Sequence, residues 1–141
     1  MAAPILMPVI SLVAWSHAML LWMYATRLPA MRRAGMVPDN ERVRGDQMAE
    51  LPARVRWKSD NYTHLTEHPT LFYALAISLA LMGQGADGLN LALAWTYVGL
   101  RIVHSIWQAT VNQIVARFIL FALSSLVCCA LAIRALALAM S

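Results

Sequence analysis

Long runs of apolar residues alternate with shorter polar segments along this chain, and this pattern predicts a helical membrane protein. A bilayer crossing needs about 20 predominantly apolar residues. The second run is apolar only over 71–83, so it reaches spanning length only if its helix begins near residue 59. The predicted helices therefore cover about 5–27, 59–83, 89–111 and 114–140.

The first connection, over about 28–55, has a different character from the other two. It contains Pro29, Pro38 and Pro52 together with charges of both signs, so it cannot lie in hydrocarbon. The second and third connections are short, which favours antiparallel neighbouring helices. We therefore predict an all-α fold, an integral membrane up-down four-helix bundle in a single domain over 1–141, with a long aqueous loop after the first helix.

Basic residues predict the orientation of this bundle. Most of the arginines and the one lysine lie on the first connection and its helix ends, and Arg117 follows the third connection. The positive-inside rule places both connections in the cytoplasm and both termini outside. Arg134, near the carboxyl end, is expected to extend toward the outer surface.

Composition excludes several classes of protein. Of the 141 residues, 60% are hydrophobic and only 13% are charged, whereas soluble domains are about 45–50% apolar and about 25% charged. This excludes an ordinary soluble domain, a disordered chain and a nucleic-acid-binding module, despite the net charge of +4. Cys128 and Cys129 lie together in an apolar run, so we interpret them as reduced packing residues.

Ionisable residues within membrane helices are costly and therefore mark functional sites. In the second helix, helical periodicity places Arg56, Asp60, His64 and Glu67 on one face. These residues lie in the cytoplasmic half of the predicted bundle. Pro69 follows them and is expected to kink the helix.

The third helix carries a second polar face, formed by Arg101, His104 and Gln108. Glu67 and Arg101 lie at matching depths, so they are a candidate buried ion pair, which by itself could serve only packing. Arg27 and Arg117 add a surplus of positive charge, which favours an anionic ligand with carboxylates or a thiolate. No trusted zinc spacing is present, so no metal site is expected.

These residues match a known family. The chain resembles the membrane-associated proteins in eicosanoid and glutathione metabolism, which include microsomal glutathione transferases and prostaglandin E synthases. The resemblance covers nearly the whole chain, and its most specific part is Arg101-x-x-His104 followed by Arg117. Arg27 also falls where the prostaglandin synthase branch has a glutathione-contacting arginine.

The resemblance implies a homotrimer that binds glutathione between subunits near the cytoplasmic side of the membrane. Arg117 would stabilise the glutathione thiolate, because nearby cations lower the pKa of a thiol. The resemblance thus implies a glutathione-dependent transferase or peroxidase that acts on hydrophobic electrophiles or lipid hydroperoxides, here in a bacterial inner membrane. The implied glutathione-binding residues are Arg27, Arg56, Asn61, His64, Glu67, Arg101, His104 and Gln108.

The sequence departs from the family pattern at several of these positions. His64 occupies the position of the glutamate in the family's N-x-x-E pattern that begins at Asn61, and Gln108 replaces a tyrosine. These changes do not favour a specific eicosanoid synthase. They leave open an alternative function, a non-catalytic lipid-binding scaffold of the same fold. A small transporter is disfavoured, since the polar residues occupy only one half of the bundle.

Overall fold

The structure is a computed structural model that describes residues 3–43 and 45–140, and the secondary structure of this part is entirely α-helical. The all-helical prediction is therefore confirmed for these residues. Two of the helices, the first and the last, are long and apolar enough to cross a membrane. The helices are α1 (Leu6–Arg33), α2 (Asp46–Ala49), α3 (Ala53–Glu67), α4 (Thr70–Leu81), α5 (Gly88–Thr110) and α6 (Ile114–Ala139).

Helix α1 continues to Arg33, beyond the predicted end at residue 27. Pro29 lies inside the helix, where it removes one backbone donor without ending it. Gly35 follows the helix end, and its φ of 59° lets the Met36 amide donate to the Met31 carbonyl at 3.1 Å. The predicted first loop is shortened accordingly.

The remaining part of this loop has local structure of its own. It contains the four-residue helix α2, and the side chain of Gln47 in this helix bonds to the backbone at the start of the loop. The Gln47 amide donates to the Val37 carbonyl at 2.8 Å and accepts from the Asp39 amide at 3.1 Å. The loop ends at Pro52, after which α3 begins six residues before the predicted start at residue 59.

Pro69 divides the predicted second helix into α3 and α4. It has no N–H to donate to the Leu65 carbonyl, so the hydrogen-bond ladder is interrupted at this point. The ladder resumes where the Tyr73 amide donates to the Pro69 carbonyl at 2.9 Å. At the predicted kink, one helix therefore ends and another begins. The polar α3 precedes this break, and the apolar α4 follows it.

Helix α5 packs against α1, α3 and α6, and so holds the fold together. In the core, the rings of Phe72 on α4 and Tyr97 on α5 stack with their centroids 4.4 Å apart. The chain segment before α1 packs on Gly85, where an added Cβ would lie 2.8 Å from Ala3. Tyr97 and Arg101 are buried on α5, which packs against α3 and α6.

Arg134 does not extend outward, in contrast to the prediction. Its guanidinium donates to Asn90 Oδ1 at 2.7 Å and to Asp87 Oδ1 at 2.8 Å. Asp87 also caps the amino end of α5 by accepting from the backbone amides of Leu89 and Asn90. These contacts fasten the end of α6 to the start of α5, on the opposite side of the molecule from Arg117.

We expect this contact to make stability depend on pH in the acid range. Backbone donation from Asn90 and the charge of Arg134 hold the pKa of Asp87 below its usual value of 3.8. The stabilisation is therefore present above pH 4 and is lost as pH falls through the folded-state pKa. Asp87→Asn keeps a capping side chain but removes the charge, so thermal unfolding should respond less to acid than in the wild type.

Melting temperatures in detergent across the acid range measure this effect. Glu41→Gln, which alters an exposed loop carboxylate outside the ion pairs found in residues 3–43 and 45–140, is the matched control and should behave as the wild type does. Identical acid profiles for the wild type and Asp87→Asn would contradict the assignment.

Candidate functional site

The polar face predicted on α5 is buried within the fold. Arg101, His104 and Gln108 are 1%, 2% and 1% exposed, respectively. They lie three or four residues apart, so they form one stripe on the helix. α3 brings His64 to this stripe, and α6 brings Arg117 to the cavity that His64 and His104 line.

Arg101 bonds to His64 and not to Glu67. Its Nη2 atom donates to His64 Nδ1 at 3.2 Å and to the His64 backbone carbonyl at 3.1 Å. Glu67 is exposed at the end of α3, and the ion pairs found in residues 3–43 and 45–140 do not include it. The predicted Glu67–Arg101 pair is therefore wrong, because equal depth did not place the two side chains on facing sides of their helices.

Contact with Arg101 determines the tautomer of His64. A guanidinium can only donate, so His64 Nδ1 accepts, and a neutral ring carries its proton on Nε2. The His64 ring stacks on His104 with centroids 4.9 Å apart and meets the edge of Phe121 at 5.5 Å. Two imidazoles are therefore held in fixed positions beside the buried guanidinium.

Arg117 borders a cavity of about 230 Å³ between α3, α5 and α6. Its Nη1 atom donates to Asn112 Oδ1 at 2.6 Å, which fixes the direction of the guanidinium. Its Nε atom is buried and has no hydrogen-bond partner among residues 3–43 and 45–140. The residues that line this cavity are His64, His104, Ile114, Arg117, Phe118 and Phe121.

Arg27 and Arg56 line a different cavity, between α1, the loop helix α2 and α3. This second cavity has a volume of about 580 Å³. Arg27 Nη1 donates to Ser59 Oγ at 3.3 Å, and Asp60 contributes the one carboxylate of the lining. No residue lines both cavities, so within one chain Arg27 and Arg56 form a group separate from His64, His104 and Arg117.

Asn61 lies between these two groups and is a link between helices. It is 1% exposed, and its amide donates to Ser105 Oγ at 2.9 Å. The same hydroxyl accepts from the Trp15 indole at 3.1 Å. α1, α3 and α5 are thus joined through one serine. Gln108 lies one turn beyond Ser105, and its Oε1 atom is buried without a partner.

The sequence analysis missed two residues that shape the Arg117 cavity. Phe121 lies one helical turn after Arg117, and its ring meets the edges of the His64 and His68 rings. Helical spacing from Arg117 could have identified it. Asn112, the partner of Arg117, takes a left-handed φ of 57°, a conformation that asparagine tolerates better than most residues.

The arrangement can hold an anion in a partly apolar cavity. Fixed guanidinium groups with unfilled donors stabilise negative charge most strongly where water is restricted. Arg117 is placed for this because its side chain is half-buried and oriented by Asn112. The apolar wall formed by Phe118 and Phe121 fits a hydrophobic second molecule.

Comparison with known proteins agrees with the resemblance drawn from the sequence. The model of the MAPEG family matches residues 5–137, essentially the whole chain. No curated protein and no solved structure matches the chain significantly. The family match, the two membrane-capable helices and the all-helical fold together confirm that the chain belongs to the MAPEG family of membrane proteins.

Proposed function

We propose that this protein is a glutathione-dependent membrane transferase or peroxidase that acts on hydrophobic electrophiles or lipid hydroperoxides. Membership of the MAPEG family indicates a glutathione-related or eicosanoid-related function at a membrane. The observation that carries the proposal is the oriented Arg117, with a buried unpartnered Nε, at the edge of a partly apolar cavity.

The donors of this chain fit glutathione. Glutathione supplies a thiol as the nucleophile or reductant when it is bound. Arg117 would hold negative charge at the sulfur, and Arg27 and Arg56 would hold carboxylates through their planar guanidinium groups. Glu67, exposed at the end of α3, is available to the ammonium group.

Buried side chains support this binding by holding the helices and His64 in place. Arg101 orients His64 through its two hydrogen bonds, and Asn61 fixes α3 against α5 through Ser105. Direct contact of glutathione with Arg101, Asn61, His104 or Gln108 stays a prediction.

The division of the arginines into two cavities supports a site formed between subunits. Arg117 and Arg27 line separate cavities along α3, and no lining residue is shared. A ring of identical subunits brings different faces of neighbouring chains together. In the proposed homotrimer, an up-down bundle in each subunit presents its Arg117 cavity to the Arg27 cavity of the next subunit, on the cytoplasmic side.

The hydrophobic substrate would enter from the lipid phase. Phe118 and Ile114 lie at the edge of the Arg117 cavity and are 68% and 77% exposed. Large exposed apolar side chains on a membrane helix face lipid or another subunit. An apolar electrophile could therefore approach the thiolate without crossing water.

The experiment that tests this proposal is glutathione binding to the purified protein, followed by the difference spectrum of a bound thiolate near neutral pH. We expect the wild type to bind glutathione and to show thiolate absorbance. Arg117→Ala should lose the thiolate absorbance while it keeps much of its affinity, because other residues hold the carboxylates.

Arg54→Ala is the matched control, since Arg54 is exposed at the start of α3 and lines neither cavity. It should retain the full thiolate signal. Absence of binding by the wild type at millimolar glutathione would overturn the proposal and make the lipid-binding scaffold the leading function.

A further inference from the structure

A third cavity, which the proposed function does not use, lies between α4 and α6. It has a volume of about 140 Å³, and we name it the α4–α6 cleft. Arg101 and Tyr97 of α5 reach it from the core side. Its rim includes Leu71 and Cys129, both exposed, on α4 and α6 respectively. The His68 imidazole and the hydroxyl groups of Ser124 and Ser125 complete its polar lining.

The α4–α6 cleft contains a buried cation with unused donors. Arg101 is 1% exposed, and its Nε and Nη1 atoms have no hydrogen-bond partner in the part of the chain that the structure describes. No carboxylate lies among the residues that line the cleft. A cation buried without an anion is energetically unfavourable. Binding of an anionic ligand would therefore stabilise the guanidinium of Arg101.

We propose that the α4–α6 cleft binds the carboxylate head of a single-chain lipid acid, with Arg101 as its partner. A planar guanidinium matches a carboxylate with two parallel hydrogen bonds. The rim residues Leu71 and Cys129 are exposed, and Cys129 belongs to α6, one of the two helices long and apolar enough to cross a membrane. We therefore place the mouth of the cleft toward the lipid phase. The hydrocarbon chain of the ligand then lies outside the cleft, along α4 and α6.

The size of the α4–α6 cleft favours a head group over a whole molecule. Pockets that enclose drug-sized ligands measure about 300–1,000 Å³, and this cleft is smaller at about 140 Å³. A carboxylate and its first methylene groups fit this volume, whereas glutathione does not. Phe121 borders both this cleft and the Arg117 cavity, so the two sites are neighbours with a shared wall.

Glutathione is the other source of a carboxylate for Arg101, and the test must separate the two. The chain has only two cysteines, and both line the cleft. In a Cys129→Ser background, alkylation of Cys128 by a maleimide therefore reports occupancy of the cleft. The protein is placed in lipid nanodiscs, and the probes are palmitate, the alcohol of the same chain length, and glutathione alone.

We expect palmitate to slow alkylation of Cys128 by about tenfold, since a hydrogen-bonded charge pair discriminates strongly against a neutral group. The alcohol and glutathione should have little effect. Equal protection by the alcohol would show that only the apolar chain binds and would overturn the proposal. Protection by glutathione alone would assign Arg101 to the cofactor and would overturn it as well.

Two variants make the result specific to Arg101 and the cleft. Arg101→Gln should abolish the difference between palmitate and the alcohol, whereas Arg101→Lys should preserve part of it. If Arg101→Gln does not fold, Ser125→Trp, which fills the cleft from the half-buried α6 side, should remove palmitate protection. Palmitate protection that persists in a folded Arg101→Gln or Ser125→Trp protein would refute the site. None of these measurements depends on glutathione turnover. A result against the proposed function would therefore not contradict the lipid-acid site.

Discussion

Arg117→Ala is expected to lower kcat/KM for the conjugation of glutathione to a chloronitrobenzene by about a hundredfold to a thousandfold. Among the described residues that line the cavity between α3, α5 and α6, Arg117 is the one arginine or lysine, and Asn112 holds it in a fixed direction. In Arg117→Ala, the negative charge on the glutathione sulfur loses an oriented donor. Water in a partly apolar cavity does not replace this stabilisation. Steady-state rates in detergent or nanodiscs measure the effect.

The pH dependence of turnover separates a charge effect from loss of structure. Without Arg117, the rate should rise only as pH approaches the ordinary thiol range, about 8.5. Arg117→Lys should restore part of the rate near neutral pH, because it returns the charge without the planar geometry. Unchanged turnover in Arg117→Ala would remove this residue from the chemistry, and a uniform loss at every pH would indicate a structural defect.

The buried face of α5 shows what helical periodicity can predict. Arg101, His104 and Gln108 were placed on one face from their spacing alone, and all three are at most 2% exposed. Their neighbours Val103 and Ile106 are half exposed, as an apolar lipid-facing or subunit-facing side requires. A regular helix converts spacing into direction, so this part of the site was predictable.

Contacts between distant residues were less predictable, because spacing along one helix does not give its rotation relative to another. Glu67 and Arg101 were paired by depth, but α3 turns His64 toward Arg101 and leaves Glu67 exposed. Arg134 was expected to extend outward, yet Asp87, 47 residues away in the chain, lies within hydrogen-bond distance. Both outcomes depend on helix packing, which the order of residues did not reveal.

Helix ends depended on local chemistry that the hydrophobic pattern does not record. The predicted first helix ended where apolar residues stop, near Arg27, but α1 continues until Gly35 permits a left-handed turn. In the same way, α3 begins after Pro52, well before its residues become apolar. Hydrophobicity marks the part of a helix suited to lipid, whereas glycine and proline mark where the helix ends.

The double variant Arg27→Ala/Arg56→Ala is expected to weaken glutathione binding by about tenfold to a hundredfold, since charge-assisted contacts to a ligand carboxylate are lost. The double variant and Arg117→Ala should each be nearly inactive when expressed alone. If the site lies between subunits, co-expression of the two variants in equal amounts should restore about a quarter of the sites, because each needs one intact face from each neighbour.

This complementation test distinguishes a shared site from two separate ones, because the two arginine groups line separate cavities within each chain. A site formed within one subunit would regain no activity in mixed oligomers, since no chain carries both intact groups. Mixing the two purified variants without subunit exchange is the control and should show no recovery. Arg54→Ala paired with Arg117→Ala should recover activity in proportion to the number of chains with an intact Arg117, which calibrates the ratio in which the two chains are produced. Activity near a quarter would support the proposed assembly, in which neighbouring chains each contribute one half of the glutathione site.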